Sequence, residues 1–382
     1  MEREELAAWL RLTLTPGVGG GTGRKLLAAF GLPDSVLRQP RAALAQVVTS
    51  AQVNALRTEP AELAALFELT WSWLEETGDG AARRRIVVLG DADYPASLLN
   101  VEDPPLMLYL LGAGTFVSGK PMHSIAVVGS RNPTPQGAAN ARQFSKALGL
   151  AGLTVVSGLA LGIDGAAHEG ALDSIMPGSL RLATVAVVGT GLDRVYPKSH
   201  LTLAHRIAQH GLLVSEYPLG TPPLVANFPR RNRLIAGLAQ GTLVIEAALK
   251  SGSLITARLS AEQGKDVFAI PGSIHSPLSR GCHALIRQGA KLVETAQDVL
   301  EELGALAQFV AAPATAAPAA PGAPPEPAQQ VLLDLIGYDP IDIDTLIVRS
   351  GLTAGVLSSM LLHMELRGLI EARPGGRVQR TS

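Results

Sequence analysis

The stretch Ser124-Ile-Ala-Val-Val-Gly-Ser-Arg131 decides the fold class of this chain. A short apolar run with β-branched residues ends abruptly in Gly129, Ser130 and Arg131, and a helical pattern opens a few residues later. This pattern is typical of a buried parallel strand that leads into a helix, a junction that brings backbone N–H groups and a cation to a phosphate. We therefore interpret residues 129–131 as a phosphate-binding turn.

The same pattern of strand, turn and helix recurs from residue 121 to about residue 305. The predicted strands are 124–128, 153–156, 184–188, 212–215, 242–245, 267–270 and 291–293, and the predicted helices are 136–151, 165–172, 199–210, 230–238, 253–263, 279–288 and 296–303. This alternation predicts an α/β fold, an extended Rossmann-like doubly wound parallel sheet. Two earlier strand candidates, 85–89 and 106–111, are expected to extend one edge of that sheet.

Residues 1–80 predict an N-terminal all-helical domain that is SAM-like or helix–hairpin–helix-like. Its helical patterns are 4–14, 23–30, 40–48, 52–57 and 60–76. Between the first two lies Thr15-Pro-Gly-Val-Gly-Gly-Gly-Thr-Gly-Arg-Lys-Leu-Leu27. This segment either binds nucleic-acid phosphates through its backbone amides, as in a helix–hairpin–helix, or only connects two helices. The acidity of the domain argues against a dominant role in DNA binding.

Three further segments follow this helical domain. Residues 81–305 are the predicted extended Rossmann domain, and residues 306–327, almost entirely Ala and Pro, are a linker. Residues 328–382 predict a winged-helix domain, with helices at 328–336, 343–349 and 354–367 and a hairpin at 368–380. The supposed recognition helix is poor in Arg and Lys, so the domain docks either a protein or DNA.

Composition excludes several classes of protein. One cysteine, Cys282, excludes an internal disulfide and indicates a cytoplasmic location. The N-terminus is acidic rather than signal-like, and the longest apolar runs are too short for a membrane span. The net charge is −1, but residues 121–305 carry about +4, a weak basic footprint.

Small, polar and charged residues follow nearly every predicted strand. The carboxyl ends of parallel strands meet at one edge of a sheet, so these residues predict a glycine-lined crevice that binds phosphates. The candidate site residues are Gly129, Ser130, Arg131, Ser157, Gly158, Lys198, Phe228, Arg230, Arg231, Asn232, Arg233 and Lys265.

The pattern of cations favours a polymer over a dinucleotide. Neither Gly-x-Gly-x-x-Gly nor a Walker A motif is present, and Arg131 stands where a dinucleotide site needs glycine. Cations on separate strand ends predict a row that follows a polymer backbone. Beside the arginine cluster, Phe228 either stacks on an unpaired base or is a core residue at the start of a helix.

Other polar residues have structural interpretations. Asp164 and His168 open a helix without further ligands at metal-binding spacing, so we predict no metal site. Cys282 and His283 are adjacent on a helix and point apart, which argues against a nucleophile pair. Glu246 is expected to accept a hydrogen bond from Arg231 or Arg233. We predict neither a catalytic residue nor a cofactor.

Residues 94–303 resemble the DNA-processing protein A (DprA/Smf) family. The resemblance rests on six motifs in the family's order: Ala126-Val-Val-Gly-Ser-Arg131, Val156-Ser-Gly-Leu-Ala-Leu-Gly-Ile-Asp-Gly-Ala-Ala-His168, Gly191-Leu-Asp-Arg-Val-Tyr-Pro197, Phe228-Pro-Arg-Arg-Asn-Arg-Leu-Ile-Ala-Gly-Leu238, Ser251-Gly-Ser-Leu-Ile-Thr-Ala257 and Val267-Phe-Ala-Ile-Pro-Gly272. The sequence departs from the family in the loop after Arg131, in an apparent insertion at 174–182, and at Cys282-His283, where Thr-Asn is usual. None of these departures removes a cation.

The resemblance implies a non-enzymatic function. It implies a cytosolic homodimer that binds single-stranded DNA, protects it and loads the RecA recombinase in natural transformation. A single-strand-binding protein is a further candidate partner. The apolar helices near 279–303 and their neighbouring strand are expected to supply the dimer contact.

Two alternative functions would fit parts of this sequence. The first is a nucleotide phosphoribohydrolase on the same fold, whose motif Pro-Gly-Gly-x-Gly-Thr-x-x-Glu ends in a catalytic glutamate. Here Leu259 stands three residues after Thr256, so that carboxylate is missing. The second is a transcription factor that uses the winged helix, which the uncharged recognition helix argues against.

Overall fold

The computed structural model describes residues 1–76, 82–116, 122–176, 181–304, 327–366, 369–373 and 377–380. Its first six helices are α1 Arg3–Leu14, α2 Gly20–Phe30, α3 Pro33–Arg38, α4 Arg41–Leu44, α5 Ser50–Arg57 and α6 Leu63–Glu75. Helix α3 was not predicted; it begins with a proline, at a position where the missing N–H would have no helical partner anyway. The predicted helix 40–48 shortens to α4.

The described residues then form a nine-stranded sheet. Its strands are β1 Arg83–Val88, β2 Met107–Gly112, β3 Ser124–Val128, β4 Thr154–Ser157, β5 Thr184–Val187, β6 Leu212–Ser215, β7 Gly241–Val244, β8 Asp266–Ala269 and β9 Lys291–Leu292. Their order is β1-β2-β6-β5-β4-β3-β7-β8-β9, in which β1 and β2 are antiparallel and the other seven are mutually parallel. The predicted parallel sheet with an extended edge is confirmed.

Helices cover both faces of this sheet. They are α7 Pro135–Leu150, α8 Ile163–Leu172, α9 Leu201–His210, α10 Asn227–Leu238, α11 Ser253–Glu262, α12 Arg280–Arg287 and α13 Ala296–Glu302, with 3-10 turns at Ala96–Asn100 and Lys198–His200. All five residues of β3 are buried. Ile125 and Val127 pack in the core beneath α7 and α8, and Ala126 and Val128 pack in the core on the α10 face. This alternation is what a strand buried on both faces requires.

The chain changes direction across the sheet next to β3. Strands β4, β5 and β6 follow β3 outward on one side, whereas β7 returns to its other side. In an open α/β sheet the loops diverge at such a switch point and leave a crevice beyond the carboxyl ends. The crevice between β3 and β7 is therefore where the fold places a ligand.

Helix α10 begins at Asn227, three residues before its predicted start at 230. Phe228 thus lies in the first helical turn rather than in a loop before it. Pro229 is tolerated there because the first turn has no N–H partner to lose.

The C-terminal segment is a winged helix. It consists of α14 Pro327–Ile336, β10 Ile341–Asp342, α15 Ile343–Ser350, α16 Ala354–Leu366, β11 Ile370–Arg373 and β12 Arg377–Arg380, with the strand order β10-β12-β11. Strand β10 was not predicted. The predicted linker, apart from Pro327, lies outside the described residues, as do the hairpin tip 374–376 and part of the apparent insertion. No helix in the described ranges is both long and apolar enough to cross a membrane.

Candidate nucleic-acid interface

A pocket of about 480 Å3 lies at the carboxyl edge of the sheet between β3 and β7. The turn after β3, the first turn of α10 and the turn before α11 form its walls. Six predicted site residues line it, together with a lysine and neighbouring residues that were not predicted: Gly129, Ser130, Arg131, Phe228, Arg231 and Asn232, with Lys250, Ser251 and Gly252. The structure therefore brings half of the predicted set together.

A larger cavity of about 1020 Å3 is lined by the first half of α7 and by the segments that follow β7 and β8, together with residues of the C-terminal segment. Among its described lining residues, the carboxylates of Glu246 and Asp339 outnumber the single Lys or Arg side chain, Arg377. An anionic ligand is disfavoured in such surroundings, so we assign the phosphate site to the smaller pocket.

The turn after β3 offers backbone donors to the pocket. Within the described part of the chain, the amides of Gly129, Ser130 and Arg131 have no hydrogen-bond acceptor, whereas the Asn132 N–H donates to Ser130 Oγ at 3.1 Å. A side chain at Gly129 would place Cβ 2.7 Å from Ile163 Cγ1, so this close approach requires glycine. Successive unpaired amides form an anion-binding concavity.

The N-terminus of α7 is occupied by a carboxylate of the protein itself. Glu246 accepts hydrogen bonds from the Thr134 N–H at 2.9 Å and from Thr134 Oγ1 at 2.6 Å. A phosphate held by residues 129–131 is therefore held by the turn and not by this helix end. The expectation that Glu246 pairs with Arg231 or Arg233 is wrong, because Glu246 serves α7 on one face while both arginines lie on α10 on the other.

Phe228 lies between a cation and a second ring. The guanidinium carbon of Arg131 is 5.7 Å from the Phe228 ring centre, and the Tyr196 ring is 5.6 Å away at a tilt of 34°. Phe228 is half-buried, whereas Tyr196 is 49% exposed. Tyr196 was missed as a site residue, although it precedes Lys198 in a motif already singled out. The exposed stacking surface consists of Tyr196 and Arg131, with Phe228 supporting them.

Ser157, Gly158 and Lys198 do not line the pocket. The buried Ser157 Oγ donates to the Val127 carbonyl at 2.7 Å, and the Gly158 N–H donates to Asp164 Oδ2 at 3.1 Å. Both groups are therefore used within the protein. Lys198 is exposed and begins the 3-10 turn two residues after Tyr196.

The arginine cluster divides into three environments because consecutive helical residues project about 100° apart. Arg231 is 3% exposed and donates to the carbonyls of Gly158, at 2.6 Å, and Val187. Burial lowers the pKa of Arg231 to about 10. Arg233 pairs with Glu216. Arg230 is exposed and, with Arg233, lines a separate pocket of about 320 Å3 beside α2.

Lys265 lies at the opposite edge of the sheet from the pocket. It precedes β8, and its Nζ donates to the carbonyls of Ala236, at 2.7 Å, and Gly237, at 3.0 Å, at the end of α10. Burial lowers the pKa of Lys265 to about 8. The predicted single row of cations is therefore wrong at this position. The exposed Lys250 stands at the pocket instead, in the turn after β7.

Comparison with known proteins gives a consistent match. Residues 85–304 match the family model for DNA recombination-mediator protein A, and residues 316–376 match the DprA winged helix domain. Protein Smf from Escherichia coli is 40% identical over 318 residues, which cover 82% of this chain and 80% of that protein. DNA processing protein DprA from Streptococcus pneumoniae is 47% identical over 212 residues, covering 56% and 72%.

A solved structure supports the same relationship. The X-ray structure of DNA processing protein A from Streptococcus pneumoniae has a TM-score of 0.63 and 35% sequence identity, and the match covers 79% of this chain and 98% of that one. The residues that match the family model, 85–304, include the parallel strands and the pocket. The chain belongs to the DNA recombination-mediator protein A (DprA/Smf) family.

Proposed function

We propose that this protein binds single-stranded DNA at the carboxyl edge of its sheet. In this proposal the amides of residues 129–131 and the side chains of Arg131 and Lys250 bind phosphates, and Tyr196 stacks on a base. Lys198 and Arg230 are exposed cations outside the pocket and extend the path of the strand in either direction.

One observation carries the proposal: Arg131 lies between the amides of residues 129–131, which have no acceptor among the described residues, and the aromatic pair of Phe228 and Tyr196. Phosphate and base are adjacent in every nucleotide, so donors next to a stacking surface match one repeating unit of the polymer. Stacking on an aromatic ring needs an unpaired base, because the bases of a duplex already stack on each other. This requirement favours a single strand over a duplex.

The test is a titration with oligo-dT and with a duplex of equal length over a series of salt concentrations. We expect tighter binding to oligo-dT and an affinity that falls steeply with salt, because counterions are released from each neutralised phosphate. Equal affinity for both, or no dependence on salt, would contradict the proposal.

We further propose that the protein delivers the bound strand to the RecA recombinase during natural transformation and recombination, and protects it beforehand. The description of the family as a recombination mediator supports this role. A single-strand-binding protein is the expected competitor on the same strand, and the cytoplasm is the expected location. The test measures RecA strand exchange on DNA coated with single-strand-binding protein. We expect stimulation by the wild type and not by Arg131→Gln.

We propose that two copies associate through α12, β9 and α13. Strand β9 is a two-residue edge strand, and its Leu292 is 49% exposed, which supports a contact there. Sedimentation at micromolar concentration tests this. We expect a dimer for the wild type and a monomer for Leu292→Arg; a monomeric wild type would contradict the proposal.

No catalytic step belongs to this proposal. Leu259 lies on α11 at the position where the phosphoribohydrolase motif needs its glutamate. Residues 1–80, 81–305 and 328–382 are proposed as domains, and the linker 306–327 joins the last two. Whether the N-terminal and winged-helix units bind DNA or protein is tested by comparing single-strand affinity of residues 81–305 with that of the full chain.

A further inference from the structure

The turn between β4 and α8 is held by side chains that lie beneath it. The N–H groups of Gly158 and Ala160 donate to Asp164 Oδ2 at 3.1 and 3.3 Å. The Leu159 N–H donates to His168 Nε2 at 3.3 Å, and His200 Nδ1 lies 3.1 Å from the Leu159 carbonyl oxygen. Each of these three amides is therefore paired within the protein and is not available to a phosphate.

Arg231 completes this arrangement. It donates to the Gly158 carbonyl at the end of β4 and to the Val187 carbonyl at the end of β5, and the buried Asp164 carboxylate is its counter-charge. A Cβ on Gly158 would lie 2.5 Å from the guanidinium nitrogen atoms of Arg231. The arginine is thus packed against the backbone of two neighbouring strand ends.

The turn has a backbone conformation that needs such support. Leu159 has φ of +56°, which side-chain-bearing residues rarely adopt, and Gly162 has φ of +80°. Five hydrogen bonds from four side chains offset the cost of this conformation.

The turn at residues 158–162 also contacts the proposed phosphate site. The Ile163 N–H donates to the Ser130 carbonyl oxygen at 3.0 Å. A side chain at Gly162 would collide with the same carbonyl, so the two turns are in direct backbone contact. A displacement of residues 158–162 would therefore move Ser130 and, with it, Arg131.

We propose that Arg231 and Asp164 are positioning residues for strand binding rather than phosphate contacts, and that His168 and His200 assist them. This inference rests on the proposed function. Arg231 lines the pocket, but its Nη1 donates to the carbonyls of Gly158 and Val187. By holding the start of the turn at residues 158–162, it keeps the amides of residues 129–131 in place for a phosphate.

The two roles differ in the salt dependence of binding. A cation that neutralises a phosphate of a single strand contributes about 0.7 to the slope of log K against log salt concentration. A positioning residue contributes nothing to that slope, and its loss lowers the affinity equally at every salt concentration. Lysine retains a phosphate contact as a point charge but does not reproduce the packing of the planar guanidinium against Gly158.

The experiment measures oligo-dT affinity over a salt series for the full chain and for Arg231→Lys, Arg231→Gln, Asp164→Asn and Gly158→Ala. We expect about tenfold or greater weakening for each variant, with the wild-type slope retained. Gly158→Ala alters no charge and perturbs the same contact, so it keeps the test decisive if the arginine variants do not fold. Arg131→Gln is the matched control, with a slope lower by about 0.7.

Two results would overturn the inference. One is a slope that falls by about 0.7 in Arg231→Gln and is restored in Arg231→Lys, which identifies a direct phosphate contact. The other is wild-type affinity in Gly158→Ala and Asp164→Asn. Failure of the proposed function is distinguishable, because then the wild type itself would show no salt-dependent binding.

Discussion

Arg131 extends its guanidinium over the ring of Phe228, with 5.7 Å between the guanidinium carbon and the ring centre. The two residues come from different elements, the turn after β3 and the first turn of α10. Their contact joins the phosphate-binding turn to the aromatic side of the pocket. In this position Arg131 can contact both the phosphate and the base of a nucleotide, because a guanidinium binds a phosphate with its edge and stacks on a base with its face.

The exposed ring of Tyr196 predicts a stacking contribution that is independent of charge. We expect Tyr196→Ala to weaken oligo-dT binding by about 1–3 kcal/mol without altering the salt slope, because the ring contacts a base and not a phosphate. Tyr196→Phe is the control that keeps the ring, and it should bind like the wild type. An alanine variant with unchanged affinity would remove Tyr196 from the site.

Replacing Lys265 is expected to lower the free energy of unfolding and to leave phosphate binding unchanged. Lys265→Met leaves the carbonyls of Ala236 and Gly237 without their donor, so we expect the free energy of unfolding to fall by about 1–3 kcal/mol. The salt slope of oligo-dT binding should stay at the wild-type value. Urea unfolding measures the stability and titration measures the slope. A reduced slope would show that Lys265 contacts a phosphate of the DNA.

The buried His168 is expected to make the free energy of unfolding sensitive to acid. Its Nε2 accepts from Leu159 and its Nδ1 lies 2.7 Å from Thr184 Oγ1, which itself donates to Val155, so the ring is neutral with the proton on Nδ1. Burial lowers the pKa of His168 to about 3. The unfolded chain therefore binds the extra proton first, and stability is complete above pH 6.5 and lost as the pH falls from there towards 3.

The measurement compares urea unfolding of the wild type and His168→Gln at pH 7 and pH 5. Between these values we expect the wild type to lose about 2 kcal/mol more than the variant, because only the wild type has this titrating group. Equal losses in both proteins would show that His168 is not responsible. The contributions of other titrating groups to the pH dependence of stability cancel in this comparison. Among them is Asp164, whose pKa is raised by burial and whose contribution therefore has the opposite sign.

The sequence predicted the sheet well because its strands are apolar, short and regularly followed by glycine or charged residues. Gly129, Ser130 and Arg131 lie where they were expected, since the residue after a parallel strand must lie at the carboxyl edge. The same rule excludes Lys265 from that edge, because it precedes its strand. Lys250 was overlooked because Glu246 alone was considered at the end of β7.

The errors within α10 arise from facts that a linear pattern does not contain. Adjacent arginines look equivalent in sequence, yet Arg231 is buried against two strand ends, while Arg230 is exposed and Arg233 binds Glu216. Which side of the helix faces the sheet depends on where the helix starts, and that start was placed three residues late. The roles of neighbouring basic residues were therefore decided by tertiary packing.

The central claim is that Arg131 and Lys250 bind the phosphates of a single strand across the pocket at β3 and β7. The most direct test is the slope of log affinity for oligo-dT against log salt concentration, measured for the wild type and for the double variant Arg131→Gln/Lys250→Gln. We predict that the magnitude of the slope is smaller by about 1.4 in the double variant, at about 0.7 for each lost phosphate contact. A slope equal to that of the wild type, in a folded double variant, would contradict the account.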